Sequence, residues 1–396
     1  MNIIKRISIF IRTRIEYGIG ISKTVGLEAK LLGGKKVLIV TDKNLIELGL
    51  LNNIFKSLEE QKIDYEVFND VEMNPRDYNV MSGVKKFKSK KCNVILCVGG
   101  GSPIDVGKGI SIVASHGGNI KDYETKELLS YDESKTLVRN NTFPIIAVPT
   151  TSGSGSEASP YAVIIDTNRK YKMAILTPYI YPVVALVDPE LFISLPGKIV
   201  AEGGMDVISH AVEAYTCLQA NPFSDAFALQ TISMVGKNLR EAVYDQSNIF
   251  ARGNMALASI IGGISASLSN THLSHAMAEA LGSVYDISHG LACGYTLPVV
   301  MKYNHPVCYQ KYVDIARTLE FNNNQGNLRE RSVAAINAIQ NLIDDISLKK
   351  ISTIIKVKPD LKLLSKKTLE NIAITGNPRN VNYEDIIGMF NSIFSK

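Results

Sequence analysis

The sequence predicts an α/β N-terminal domain with a doubly wound, mostly parallel sheet carrying a β-hairpin, followed by an all-helical C-terminal domain. Three observations predict it. Short β-branched runs alternate with helical stretches up to residue 187. One of these runs opens directly into a glycine-rich turn at 99–101. After Pro189 the strand signals vanish and helical periodicity takes over. At 396 residues and 45% hydrophobic content, the chain has enough apolar material for two cores.

Taken in order, residues 3–17 alternate apolar and polar and predict a strand, ended by Gly18 and Gly20. KKVLIVT at 35–41 is a short apolar run of the kind found in buried parallel sheets, closed by Asp42. A helix over about 44–60, the strand DYEVF at 64–68, a helix near 76–90 and the strand NVILCV at 93–98 follow. FPIIAV at 143–148 is the next strand. PYAVIID and KYKMAIL, separated by residues 167–169, predict a hairpin, and VVALVDP at 183–189 the last strand. Helices are then expected at 198–218, 223–243, 251–268, 271–282, 290–303, 307–318, 329–345 and 384–394. Pro189 and Pro196 bracket a short connection, so the domains are drawn as 1–189 and 190–396.

Composition narrows the function classes. The net charge of +5 is small and scattered, and its densest run, KKFKSKK at 85–91, has the character of a solvated helix end rather than a nucleic-acid patch. The five cysteines match no zinc-knuckle or CxxC spacing, and their odd number suits reduced thiols in a cytoplasm. The N-terminus carries charges throughout, unlike a signal peptide, and the apolar stretch near 255–268 is shorter than the ~18–20 residues of a membrane span. A cytoplasmic protein without nucleic-acid or membrane partners is expected.

Two features carry chemistry. In GGGSPID at 99–105, glycines leave a strand and permit close approach of a ligand's phosphates. Ser102, Pro103 and Asp105 then have the pattern of N-cap, first helical residue and capping-box carboxylate. A helix N-terminus of that kind suits a pyrophosphate. Two stock motifs fail: GxGxxG needs Gly where Ile104 stands, and GxxxxGK[ST] needs Gly at 102 and a hydroxyl where Gly109 stands. Lys108 is expected to be solvated or salt-bridged rather than a phosphate ligand. The second feature is Asp206 and His210, four residues apart and so on one helical face, with His275 and His289 downstream. One carboxylate and three imidazoles form a plausible Fe, Zn or Mn site.

With GGGSPID, VPTTSGSGSEAS, GGMDVISHAVEAY and HAMAEALG…SHG in this order, and NPR at 377–379 before the last helix, the chain resembles iron-containing (group III) alcohol dehydrogenases over nearly its full length. The resemblance implies hydride transfer between a nicotinamide dinucleotide and a small alcohol or aldehyde held on a divalent metal. It makes Asp206, His210, His275 and His289 ligands to Fe²⁺, or to Zn²⁺ as in some members. It assigns Gly100, Gly101, Ser102 and Asp105 to the dinucleotide, together with Asn74, Thr150, Ser154, Ser159 and Lys172. Asp42 matches the position facing the adenosine ribose. A carboxylate there accepts from a free 2′-hydroxyl and repels a 2′-phosphate, so NAD(H) is expected over NADP(H).

One position departs from the family pattern. Glu279 stands where relatives often carry a second histidine, four residues after His275 and therefore facing the cleft. It is expected either to shuttle the proton or to fill the site with a salt bridge. The rival readings are a metal- and NAD-dependent cyclase or lyase of the dehydroquinate synthase type, and a non-catalytic nucleotide-binding module. Ala, Met, Leu and Ser around the ligand segments favour a small, modestly polar substrate over a phosphorylated one. The strand at 3–17, at a sheet edge, is expected to pair with a second copy in a homodimer or higher homo-oligomer.

Overall fold

The computed structural model describes residues 7, 9–126, 138, 142–321 and 325–395. Its strands are β1 (Arg14–Tyr17), β2 (Lys36–Val40), β3 (Asp64–Phe68), β4 (Val94–Gly99), β5 (Ile145–Pro149), β6 (Tyr161–Asp166), β7 (Tyr171–Leu176) and β8 (Val184–Val187). Six of them form a parallel sheet in the order β1-β8-β5-β4-β2-β3, while β6 and β7 make the antiparallel hairpin. Alternate residues of a strand face opposite sides. Val37 and Ile39 therefore enter one apolar core, and Leu38 and Val40 the other.

The helices α1 (Val25–Leu31), α2 (Lys43–Glu47) and α3 (Asn52–Glu60) lie between β1 and β3 in sequence. α4 (Asp77–Ser89) and α5 (Gly101–His116) flank β4. The rest of the chain is helical: α6 (Gly197–Thr216), α7 (Pro222–Tyr244), α8 (Ile249–Ser269), α9 (Leu273–Tyr285), α10 (His289–Asn304), α11 (Tyr309–Thr318), α12 (Leu328–Asp345), α13 (Leu361–Glu370) and α14 (Tyr383–Phe394). One core runs unbroken from Val184–Val187 of the sheet to Met205, Val207 and Ile208 of α6. By length and composition α8 could cross a membrane, but 72% of its apolar window is buried in the protein.

The strand order reverses between β2 and β4. The chain runs from β2 outward to β3 and then returns to the other side of β2. In open α/β sheets ligands bind beyond the strand carboxyl ends at such a switch point. Here those ends are Asp42 and the glycine turn after β4.

Four expectations are corrected. The strand expected at 3–17 is regular only at Arg14–Tyr17, and residues 3–6 and 8 lie outside the described residues. β1 pairs with β8, and just before β8 stands Pro182, which has no N–H to extend the ladder. The helix expected at 44–60 is two helices, broken where Gly49 takes a φ of 70°. The capping box at 102–105 does not form. α5 already starts at Gly101 with Gly100 as N-cap, and Asp105 is engaged elsewhere. Finally α13, unanticipated, is capped by Asp360, whose carboxylate accepts from Leu363 N–H at 3.0 Å.

Candidate active site

A cleft of about 410 Å³ lies between the glycine turn and the helices α6, α8, α9 and α10. Of the residues expected to serve the dinucleotide, Asn74, Gly101, Ser102, Asp105, Ser154, Ser159 and Lys172 line it. So do Asp206, His210, His275, His289 and Glu279. Asp42, Gly100 and Thr150 are not in the lining. Asp42 caps α2, its Oδ1 accepting from Leu45 N–H at 3.1 Å. Gly100 caps α5, and buried Thr150 donates its N–H to Gly99 O at 3.0 Å.

The second loop, 150–159, is held from both sides. Gly153 N–H donates to Ser259 Oγ of α8 at 2.9 Å. Gly155 adopts φ +60°, and a Cβ there would press on the α8 backbone at Ser259 and Gly263. On the α5 side, Lys108 is not the solvated lysine expected. It is fully buried, and its ammonium donates to Ser156 O (2.7 Å), Ser156 Oγ (2.8 Å), Ser159 O (2.9 Å) and Tyr161 O (2.6 Å). Asp105 shares in the tether: Ser156 Oγ donates to its Oδ1 at 2.6 Å and Val163 N–H to its Oδ2 at 3.0 Å. Burial lowers the Lys108 ammonium to about 8, against the pull of Asp105.

The polar centre is built on three helices. Asp206 Oδ1 of α6 stands 3.5 Å from His289 Nε2, 3.6 Å from His275 Nε2 and 3.8 Å from His210 Nδ1. These separations are too long for good hydrogen bonds. They suit donors sharing one cation, since ligands about 2.0–2.3 Å from a tetrahedral ion lie roughly 3.3–3.8 Å apart. His275 Nε2 and His210 Nδ1 are buried and have no hydrogen-bond partner among the described residues. Helix packing permits the convergence: at Gly290, a Cβ would collide with the carbonyl of Glu202, so only glycine lets α10 bring His289 against α6.

Glu213 lies behind His275, fully buried on the face of α6 that also bears Asp206. Its carboxylate accepts from the backbone N–H groups of Ser274 (2.6 Å) and His275 (3.2 Å), and from His275 Nδ1. His272 is buried behind the cleft, with Nδ1 2.8 Å from Glu213 and Nε2 2.9 Å from Thr216 Oγ1. Burial pushes the His275 imidazolium down, but Glu213 and Asp206 outweigh it and hold it up to about 10. Burial dominates at His210 and His289, lowered to about 4 and about 3 and so neutral, as metal ligation requires. Two buried carboxylates facing three imidazoles favour positive charge at this point.

Elsewhere in the cleft, Lys172 Nζ donates to Asn74 Oδ1 at 2.7 Å, and Asn74 Nδ2 donates to Asp286 Oδ1 at 2.9 Å. Asn74 itself sits at φ 54°. Glu279 accepts from Asn371 Nδ2 with Oε2, and burial raises its carboxyl above the ordinary range, against Lys172. Sequence reasoning missed Glu213, Asn371 and Cys293. Glu213 falls seven residues after Asp206 and Cys293 four after His289, each a same-face spacing that points to the site. Asn371 follows the unanticipated α13 and gave no such signal.

A profile of iron-containing alcohol dehydrogenases matches residues 12–189, and one of the C-terminal part of the Fe-containing alcohol dehydrogenase family matches residues 200–394. The 1,3-propanediol dehydrogenase of Citrobacter freundii is 39% identical over 381 residues, 96% of each chain. The crystal structure of a 1,3-propanediol oxidoreductase superposes with a TM-score of 0.92 at 36% identity, over 98% of this chain and 100% of that one. A sulfoacetaldehyde reductase from Bifidobacterium kashiwanohense, solved with NAD⁺, gives 0.83 at 26% identity, over 99% of this chain and 100% of that one.

Proposed function

Because this chain belongs to the iron-containing alcohol dehydrogenase family and is an alcohol–aldehyde oxidoreductase, we propose that it works with NAD(H) on a short alcohol or aldehyde bound in the cleft. The observation that carries this reading is the convergence of Asp206, His210, His275 and His289 on one wall of the cleft that the glycine turn and Lys172 also line. Those four residues would hold the metal, Fe²⁺ or Zn²⁺, and the unpartnered buried nitrogens of His210 and His275 fit that task.

A bound metal supplies Lewis acidity toward an alcohol or carbonyl oxygen, and a bound dinucleotide supplies the hydride acceptor or donor. The chain's own groups do the rest. Gly101 and Ser102 open α5, whose uncapped first N–H groups suit a pyrophosphate. Lys108 and Asp105 act on the dinucleotide indirectly, by fixing the loop that carries Ser154 and Ser159. Lys172 and Asn74 hold one another and tie the sheet side of the cleft to Asp286 on the helical side. Glu213 fixes the ring of His275 so that Nε2 faces Asp206. Glu279 lines the cleft while Asn371 engages its Oε2, which suits a group that takes or returns a proton. Asp42 favours NAD(H) over NADP(H) because a 2′-phosphate would meet a carboxylate.

On the same footing we place the domain boundary between residues 189 and 190 and the protein in the cytoplasm, where its five unpaired, buried cysteines stay reduced. We also propose a homodimer or higher homo-oligomer formed at the free side of β1, which pairs only with β8 among the described strands. A monomer by light scattering would remove that last reading.

The test of the function is a panel of short alcohols and aldehydes assayed with NAD(H) and NADP(H). Stoichiometric NADH accumulation with an alcohol, or NADH loss with an aldehyde, is expected. Substrate turnover with no net change in NADH would point to a borrowed hydride, as in a cyclase or lyase, and would overturn it.

A further inference from the structure

We propose that Cys293 is a donor to the metal from the enclosed side of the site, giving this centre a sulfur that the Asp-and-three-His set lacks. The inference rests on the metal reading above and deepens it. Cys293 is four residues after His289 on α10, so both side chains share one face of that helix. Its Sγ lies 3.7 Å from Asp206 Oδ1 and 3.7 Å from His289 Nε2. A sulfur 2.3 Å and a nitrogen 2.0–2.1 Å from one five-coordinate ion would be separated by about 3.1 Å at a right angle and about 3.8 Å at 120°. The ligand atoms of Asp206, His275, His289 and Cys293 all lie within 4.8 Å of one another. A second observation points to the same place independently. His275 Nε2, on a side chain only 4% exposed, faces Asp206 Oδ1 and has no hydrogen-bond partner among the described residues.

A thiol in this position would not block the substrate. Asp206, His210, His275 and His289 line the cleft, whereas Cys293 does not and is fully buried behind them. A sulfur reaching the ion from there leaves the cleft side free. The alternative is a neutral thiol donating a weak hydrogen bond to Asp206. On coordination the S–H bond would break as the metal–sulfur bond forms, and the proton would be released to solvent. A soft donor would bias the site toward Zn²⁺ or Co²⁺ and away from ions that prefer oxygen, such as Mg²⁺ and Mn²⁺.

The experiment is absorption spectroscopy of the full-length protein produced with cobalt as its divalent ion, beside Cys293→Ser. Wild type should bind one Co²⁺ per chain and show a near-ultraviolet thiolate-to-cobalt charge-transfer band. The variant should keep its visible ligand-field bands, lose the charge-transfer band, and surrender cobalt to a chelator at least about tenfold more readily. Bound cobalt without the charge-transfer band in wild type, or a band that survives in Cys293→Ser, overturns the thiol donor and leaves the metal site standing. Failure to bind cobalt at all overturns both.

Discussion

Glu213 and His275 face one another from α6 and α9. His275 Nδ1 donates to the Glu213 carboxylate while Nε2 of the same ring points at Asp206. One buried carboxylate therefore sets the tautomer and the aim of an imidazole in the polar centre, and its other contacts pin the start of α9. Outer partners of this kind are worth about 10–100-fold in metal affinity. Glu213→Gln should weaken metal binding by that factor in a chelator competition, and an unchanged affinity would remove Glu213 from the site.

Gly290 sets how closely α10 approaches α6. Gly290→Ala must move α10 away from the Glu202 carbonyl, taking His289 away from Asp206. The variant should bind metal at least about tenfold more weakly, by the same competition. Full metal content and unaltered activity would show that α10 has slack the packing does not suggest.

Lys108→Met removes a buried cation whose carbonyl and hydroxyl acceptors have no water to turn to. Breaking a buried, paired charge costs about 3–5 kcal/mol. A lower denaturation midpoint is expected, together with a raised KM for the dinucleotide because the loop at 150–159 loses its tether. A lysine acting on phosphate instead would raise KM and leave stability intact.

Asp42→Asn keeps an N-cap but removes the charge. Hydrogen bonds to charged groups contribute about 1.5–3 kcal/mol, so NAD⁺ should lose roughly ten- to a hundredfold in kcat/KM while NADP⁺ improves. If the NAD⁺/NADP⁺ ratio stays constant, Asp42 is only a helix cap.

Glu279 titrates above the ordinary carboxylate range because burial disfavours its charged form. If it accepts the proton during alcohol oxidation, kcat should rise with pH as Glu279 ionises. Glu279→Gln should flatten that limb and lower kcat by about 10²-fold. An unchanged pH profile would leave Glu279 as a partner of Asn371 and nothing more.

The inner strands were legible because they are continuous apolar runs such as VILCVG at Val94–Gly99, and the alternating DYEVF is found where expected, as β3 at Asp64–Phe68. The helical half was legible through periodicity, except α13, which was missed although its run LKLLSKKTLE is amphipathic and buries Leu364. The candidate ligands were visible as an i,i+4 pair and two distant histidines. Burial was not. Lys108 has the sequence context of a surface lysine, yet it is buried because three carbonyls from a loop some fifty residues away close over it. Asp105 fits a capping box on paper, but Ser156 and Val163 take its carboxylate first. Both depend on contacts between distant segments, which local pattern does not encode.

The central claim is that the cluster around Asp206 holds the metal on which oxidoreductase activity depends. Its most direct test is alcohol-driven NADH formation by chelator-stripped protein titrated with Fe²⁺ or Zn²⁺, beside Asp206→Ala. Activity should vanish on stripping and return at one equivalent of metal in wild type only. A stripped enzyme that keeps its rate, or an Asp206→Ala variant that recovers on reloading, would contradict the claim.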